Sequence, residues 1–442
     1  MSVKVRFAPS PTGKLHVGNI RAALLNWLFA RQQGGTFVLR LDDTDTERST
    51  EAFANGIRTD LTWLGLTWDE TFKQSDRFAR YDEVVAQLKA EGRLYPCYDT
   101  AEELDFKRKI QRSRSLPPVY DRSALKLTAD EIAAYEAEGR KPHWRFKLTT
   151  PGRVDFTDLI RGPIAIDLAS VSDPILVRED GSYLYTLPSV VDDVDMGITH
   201  VVRGEDHVTN SAVQVDIFHA LGAKAPEFAH FSLLQGAEGE GLSKRKGSLA
   251  IEDFRTAGME PMAIVSLLGR LGTSQSVEAF TDVQPLIDGF DFSKFGKKPA
   301  KFSDKELSQL NARIVRAVPY AAVQDRLDGV SEAFFKAVQP NIEKIADVKE
   351  WWAIVDGEIT PVIENPDFMA KAKELFPEGE LNADSWEQWT NAVKEATGAK
   401  GRDLFMPLRQ ALIGQSHGPD MATLLPLIGR EKSLSRLGGQ KS

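Results

Sequence analysis

The 442 residues carry 64 acidic and 55 basic side chains, for a net charge of −9, with 42% hydrophobic and 27% charged residues, an ordinary balance for a globular chain long enough for about three domains. No apolar run approaches the roughly 20 residues of a membrane span, and the single cysteine, Cys97, excludes an internal disulfide framework. The first residues lead straight into an apolar run with no secretory leader, so the expected setting is cytoplasmic.

In chain order, Val3–Phe7 predicts a strand, Ala8-Pro9-Ser10-Pro11-Thr12-Gly13 a turn, and His16-Val17-Gly18-Asn19 the start of a helix running to Gln33. After Gly34-Gly35 comes a second strand, Thr36–Leu41, and then the acidic cluster Asp42, Asp43 and Asp45. A strand feeding a helix through such a turn offers backbone N–H groups and a helix N-terminus, both suited to phosphate. Gly18 allows a base or ribose close to the backbone, and His16 has an N–H for phosphate oxygens. The same residues also fit a plain βαβ unit with a chance histidine, since three-residue motifs are cheap.

Further along, Phe78, Tyr81, Val84, Val85 and Leu88 recur at helical spacing over 78–91. Residues 93–185 read as an insertion: basic residues at Lys107, Arg108, Lys109, Arg112 and Arg114, an acidic helix over 130–138, then β-like runs over 143–148 and 164–168. The stretch 185–193 returns to the first fold. Leu242-Ser243-Lys244-Arg245-Lys246-Gly247-Ser248 is a basic loop among glycines. Its cations suit a leaving pyrophosphate, although such clusters are also ordinary solvated surface. Lys294, Lys297, Lys298 and Lys301 form a second basic patch, either a solvated face or a contact for nucleic-acid backbone. Amphipathic segments over 345–354 and 386–396 predict an all-helical last third, with residues 438–442 as a frayed tail.

Together, His16-Val17-Gly18-Asn19 and Leu242-Ser243-Lys244-Arg245 resemble the HIGH and KMSKS signatures of class I aminoacyl-tRNA synthetases. The wording from Arg6 to Gly13, Val201-Val202-Arg203-Gly204-Glu205-Asp206-His207 and Phe405-Met406-Pro407-Leu408-Arg409 is similar to the bacterial glutamyl-tRNA synthetases. The resemblance runs through nearly the whole chain. It implies an α/β fold with a Rossmann-type nucleotide-binding domain (1–92 and 186–239), an inserted α+β acceptor-stem-binding domain (93–185), a KMSKS-loop and stem-contact region (240–310) and a helical anticodon-binding domain (311–442). It also implies ATP-dependent activation of L-glutamate and transfer to the terminal ribose of tRNA, by a monomer with no membrane partner.

Glutamate brings two carboxylates and one ammonium, so its pocket needs cations, an anion and neutral donors. By resemblance, Arg6, Tyr185 and Arg203 face the carboxylates, Ser10 and Asp42 lie near the ammonium, and Ala8 and Ser189 complete the pocket. Asp42 stands where glutamate is usual in the bacterial pattern, and Ser189 where asparagine is expected. ATP, with its Mg²⁺, is expected at Thr12, His16, Gly18 and Asn19, with Asp206, His207 and Leu234 framing ribose and adenine. His16, Lys244 and Arg245 carry the catalytic expectation, although Gly241 replaces a common lysine of the loop. Catalysis is then positioning and electrostatics, with no protein nucleophile.

Some relatives hold zinc in the insertion through a Cys-x-Cys pair and a distal Cys/His pair. Cys97-Tyr98-Asp99 offers one thiol and a tetrahedral site needs four ligands, so no zinc is expected and Phe106 and Ile110 are expected to fill the space. A glutaminyl enzyme would carry a neutral residue in place of Arg203, and a glutamyl-queuosine enzyme would lack the last third. A non-enzymatic paralogue would lose His16 or the Lys244 region, and a small-molecule adenylating enzyme would have no use for the helical third. Whether glutamine tRNA is charged as well stays open.

Overall fold

The computed structural model describes residues 2–242 and 249–442; the predicted loop residues Lys244 and Arg245 lie outside them. Near the N-terminus, β1 (Lys4–Phe7), α1 (Val17–Gln32), β2 (Thr36–Leu41), α2 (Glu51–Trp63) and β3 (Glu70–Lys73) alternate, and the strands form a parallel sheet ordered β1-β2-β3. Helix α1 is apolar on most faces rather than along one stripe, and it buries Ile20, Leu24, Leu25 and Leu28 completely. A helix of that kind belongs inside a layer, not on a surface. Phe29 on its far side packs against Phe290 and Phe292 at 6.2 and 4.8 Å between ring centres.

Next come α3 (Phe78–Ala90), β4 (Leu94–Cys97), α4 (Ala101–Ser113), α5 (Ala129–Ala137), β5 (His143–Phe146), β6 (Arg153–Asp158), β7 (Gly162–Asp167) and β8 (Ile175–Val177). Strands β4, β5 and β8 form their own antiparallel sheet. The β6–β7 hairpin instead joins a four-stranded sheet ordered β7-β6-β10-β9, through α6 (Thr186–Asp195), β9 (His200–Gly204), α7 (Val208–Ala220) and β10 (Glu227–Phe231). Part of the stretch read as an insertion therefore extends the nucleotide-type sheet. Alternation identifies a strand but not its partner.

The two sheets meet at β1 and β9. The Lys4 N–H donates to Thr199 Oγ1 at 2.8 Å and the Thr199 N–H to the Lys4 carbonyl at 2.9 Å. The C-terminal ends of these two strands, Phe7 and Gly204, thus open on one crevice, the place where doubly wound sheets bind ligands. After β10 come β11 (Leu234–Gly236), α8 (Ile251–Thr256), α9 (Pro261–Arg270), α10 (Gln284–Asp288) and β12 (Ala300–Phe302), with β12 pairing parallel to β11.

The chain folds as two compact units. One comprises Met1–Arg255, Ile264–Glu278 and Asp282–Asp304; the other comprises Thr256–Ala263, Ala279–Thr281 and Lys305–Ser442. In the second, α11 (Asp304–Ala317), α12 (Glu332–Val338), α13 (Asp347–Asp356), α14 (Pro366–Glu374), α15 (Ser385–Thr397), α16 (Arg402–Ile413), α17 (Met421–Ile428) and α18 (Arg430–Leu437) succeed one another without a strand among the described residues. Trp389 is 1% exposed, meets Phe376 edge-on at 4.9 Å and donates from its indole to the Ala372 carbonyl at 2.8 Å. The tail departs from the frayed end predicted for it. Arg436, fully buried, donates to the Ser442 and Leu412 carbonyls at 2.9 and 2.8 Å, and the Ile359 N–H also reaches Ser442. No helix among the described residues is long and apolar enough to cross a membrane.

Candidate active site

A cavity of about 590 Å³ occupies the crevice at the ends of β1 and β9. Its floor is the turn after β1 and the first turn of α1. His16 caps that helix: its Nδ1 accepts the Gly18 N–H at 3.1 Å, while the Asn19 side-chain oxygen accepts the His16 N–H at 3.1 Å. This reciprocal cap satisfies two of the donors every helix start leaves free. It also selects a tautomer, because an Nδ1 that accepts leaves the proton on Nε2. Burial lowers the His16 pKa, so the neutral form with one N–H persists at pH 7. A Cβ on Gly18 would lie 2.9 Å from His16 Cε1, and glycine alone keeps this corner open. Beyond residue 248, the Leu249 carbonyl accepts the Val17 N–H at 3.2 Å and the Ile251 N–H donates to the Leu15 carbonyl at 3.0 Å. The chain thus re-enters against the His16 turn.

On the β1 side, Arg6 is 5% exposed and donates to Asp193 of α6 at 3.1 and 3.4 Å. Asp193 also accepts from Arg40 of β2 at 2.8 Å, and Arg40 in turn donates to both Asp42 oxygens, at 2.6 and 3.2 Å, and to Ser189 Oγ at 3.1 Å. Burial pulls Arg40 down, but Asp42 and Asp193 more than offset it and hold the guanidinium above its ordinary pKa. Arg6, Ala8, Ser10, Thr12, His16, Gly18 and Asn19 line the cavity. Asp42 and Ser189 are absent from its lining, their side chains being engaged by Arg40 behind Arg6.

On the β9 side, Arg203 is 6% exposed and its hydrogen-bond partners among the described residues are all neutral: Tyr185 Oη at 3.1 Å, Ser211 Oγ at 2.6 Å and Gln214 Oε1 at 2.6 Å. Its Nε has no hydrogen-bond partner among the described residues. Burial lowers its pKa. Burial alone would raise the Tyr185 phenol, yet Arg203 and Arg6 hold it below the ordinary tyrosine value. Asp206, His207 and the 42% exposed Leu233 line the cavity; Leu234 is 9% exposed and begins β11. Ser211 and Gln214, three apart on α7, escape the sequence reading. The available signal is two polar residues on one face of an otherwise apolar, buried helix.

In the insertion, Cys97 is buried and bonds Asp99 and Tyr120 at 3.2 and 3.3 Å. Phe106 does not fill that space, being 64% exposed, and Ile110 is half-buried. Tyr120 occupies it, with Arg145 stacked 4.0 Å from the ring centre. In the basic run, Lys107 is committed to Asp99 at 2.7 Å and Lys109 to Asp105 at 3.2 Å.

Residues 2–309 match the family model described as tRNA synthetases class I (E and Q), catalytic domain, and residues 311–440 match an anticodon binding domain. The chain is 60% identical over 442 residues to glutamate–tRNA ligase 1 of Maricaulis maris (strain MCS10), covering 99% of each chain. It is 59% identical over 440 residues to glutamate–tRNA ligase 2 of Hyphomonas neptunium, covering 98% of this chain and 99% of that one. Among solved structures, a glutamate tRNA ligase from Elizabethkingia meningosepticum in complex with its amino acid superposes with a TM-score of 0.85 at 27% identity, covering 99% of each chain.

Proposed function

The chain belongs to the class I tRNA synthetases for glutamate and glutamine, and we propose that within that family it is a glutamate–tRNA ligase whose glutamate pocket is the cavity between β1 and β9. Identity of 60% across the full length to a glutamate–tRNA ligase supports the activity. One observation carries the choice of amino acid: Arg203 is a buried cation with no carboxylate among its hydrogen-bond partners. An uncompensated buried charge is costly unless a ligand brings the counter-charge. A γ-carboxylate does so; a γ-amide does not.

Arg203 and Tyr185 hold the side-chain carboxylate, with Arg6, Ala8 and Ser10 around the α-carbon. Asp42 and Ser189, both bonded to Arg40, complete the pocket behind Arg6. The capped turn fits ATP by its donor set: the His16 Nε2–H, the cradle opened by Gly18, and Thr12 and Asn19 beside it, with Asp206, His207 and the strand at Leu234 framing ribose and adenine. Magnesium arrives with ATP and supplies charge neutralisation on its phosphates. The α-carboxylate attacks the α-phosphorus, pyrophosphate leaves and glutamyl-adenylate forms; the terminal ribose hydroxyl of tRNA then takes the glutamyl group and releases AMP. Lys244 and Arg245 stabilise the departing pyrophosphate, whose negative charge grows during the step.

The insertion holds the acceptor end and residues 311–442 read the anticodon. We place the protein in the cytoplasm as a monomer, consistent with its lone cysteine. The lone thiol also argues against a zinc site, so activity needs magnesium and survives zinc chelation; one stoichiometric zinc per chain in elemental analysis would sink this point. The deciding test is aminoacylation of purified glutamate and glutamine tRNAs with each amino acid. Glutamate should be joined to glutamate tRNA; attachment of glutamine at a comparable kcat/KM overturns the reading. Glutamate joined to glutamine tRNA as well would make the enzyme non-discriminating.

A further inference from the structure

We infer that Asp158, His230 and Ser211 form a buried relay that positions Arg203, and so sets selectivity for glutamate over glutamine; this rests on the pocket proposed above. Asp158 Oδ2 lies 2.6 Å from His230 Nδ1, and His230 Nε2 lies 2.8 Å from Ser211 Oγ. Arg203 Nη2 donates to that same Oγ at 2.6 Å. Asp158, His230 and Ser211 are each no more than 2% exposed.

The order of protons follows from chemistry. Asp158 also accepts the backbone N–H groups of residues 160, 161 and 230, and its pKa is lowered although burial alone would raise it. It is therefore an acceptor, which places the His230 proton on Nδ1. Burial lowers the His230 pKa, so the ring is neutral and Nε2 accepts. Ser211 has one proton and two acceptors in reach, the His207 carbonyl at 3.2 Å and His230 Nε2 at 2.8 Å; the nearer ring nitrogen has its lone pair directed at Oγ and takes it, which turns the Ser211 lone pairs toward Arg203. With Gln214 Oε1 on the second hydrogen of Nη2, that end of the guanidinium is fully used. The second hydrogen of Nη1 and the Tyr185 hydroxyl proton stay available to one anion. Every acceptor of Arg203 is neutral, so the relay orients the cation without quenching its charge.

The same three residues are ordered like a nucleophile, base and acid. Ser211 is fully buried and its oxygen already accepts from Arg203, so no carbonyl carbon reaches it and a hydrolytic role is excluded. Asp158, His230 and Ser211 are positioning residues, and locking a binding group by a second set of hydrogen bonds is a recurrent requirement of exact recognition.

The test uses the full-length enzyme with cognate tRNA. Ser211→Ala should raise the glutamate KM by about tenfold, the scale of one lost hydrogen bond to a charged group. The kcat and the KM for ATP should stay within about twofold, and the glutamate-to-glutamine ratio of kcat/KM should fall by about tenfold. His230→Gln, whose amide reaches the position of Nε2, should lie close to wild type; His230→Asn, which reaches only the Nδ1 position, should behave like Ser211→Ala. Equal rises in the KM values for glutamate and ATP would make Ser211 merely structural. A Gln variant no better than the Asn variant overturns the relay, and Ser211→Ala decides by itself if neither histidine variant folds. An unchanged glutamate KM in Ser211→Ala overturns the relay alone if Arg203→Ala is crippled, and the pocket itself if Arg203→Ala is silent too.

Discussion

The two walls of the cavity each present a buried arginine, and they treat its charge in opposite ways. On the β1 wall, Arg6 and Arg40 are matched by Asp193 and Asp42 in a closed network. On the β9 wall, Arg203 is surrounded by a phenol, a hydroxyl and an amide. A wall that neutralises itself is framework, since removing either partner strands a charge in the interior. A wall that leaves its charge open binds something. The contrast separates stability from recognition within one pocket.

The strongest way to break the contrast is Asp193→Ala, which strands Arg6 and takes from Arg40 one of its two carboxylates. Chemical denaturation at neutral pH should show a loss of about 3–5 kcal/mol, the usual scale for unpairing a buried ion. A loss below about 1 kcal/mol would mean that the β1 network is no more than a surface-type pairing. On the other wall, Arg203→Ala should cost less stability but about 2–5 kcal/mol of glutamate recognition, and discrimination against glutamine should shrink with it. A fall of less than about threefold in kcat/KM for glutamate, under roughly 1 kcal/mol, would remove Arg203 from the pocket. Away from both walls, Lys244→Ala should slow adenylate formation by about 10²–10³ while leaving glutamate binding nearly intact. Single-turnover kinetics with an unchanged activation rate would reduce that loop to ordinary surface charge.

The smallest effect reads the open charge directly. Tyr185 is held below the ordinary tyrosine pKa chiefly by Arg203, with Arg6 second. As pH rises, its phenol should be the first to ionise, seen as the onset of phenolate absorbance, and Tyr185→Phe should delete that onset. Arg203→Ala should move that onset to higher pH, since burial then acts with less opposition. An onset insensitive to Arg203 would show that the charge is neutralised in solution.

Contiguous features were the legible ones. The turn from Ala8 to Gly13 and the start at His16 are local, and β1, α1 and β2 lie within a residue of their predicted bounds. Helices α13 and α15 fall within two residues of the amphipathic segments that announced them, because helical period and burial coincide there. What connects distant residues was not legible. Arg40 meets Ser189 across 149 positions, and Asp158 meets His230 across 72; each residue looks ordinary in its own neighbourhood. The tail at 438–442 looks free by composition, yet the Ser442 carbonyl, which accepts from the buried Arg436 and from the Ile359 N–H, holds its end in place.

The neutral surroundings of Arg203 also bear on what happens after the first chemical step. Activation turns the α-carboxylate into a mixed anhydride, and that end of the amino acid loses its full negative charge. The side-chain carboxylate is untouched, so the partner of Arg203 survives while the partners at the other end change. In the pocket proposed above, Arg203 would therefore be a mooring that keeps a reactive, hydrolysable intermediate in place while the reacting end swings from phosphate to ribose. An intermediate moored by an atom that takes no part in the reaction can wait for its tRNA.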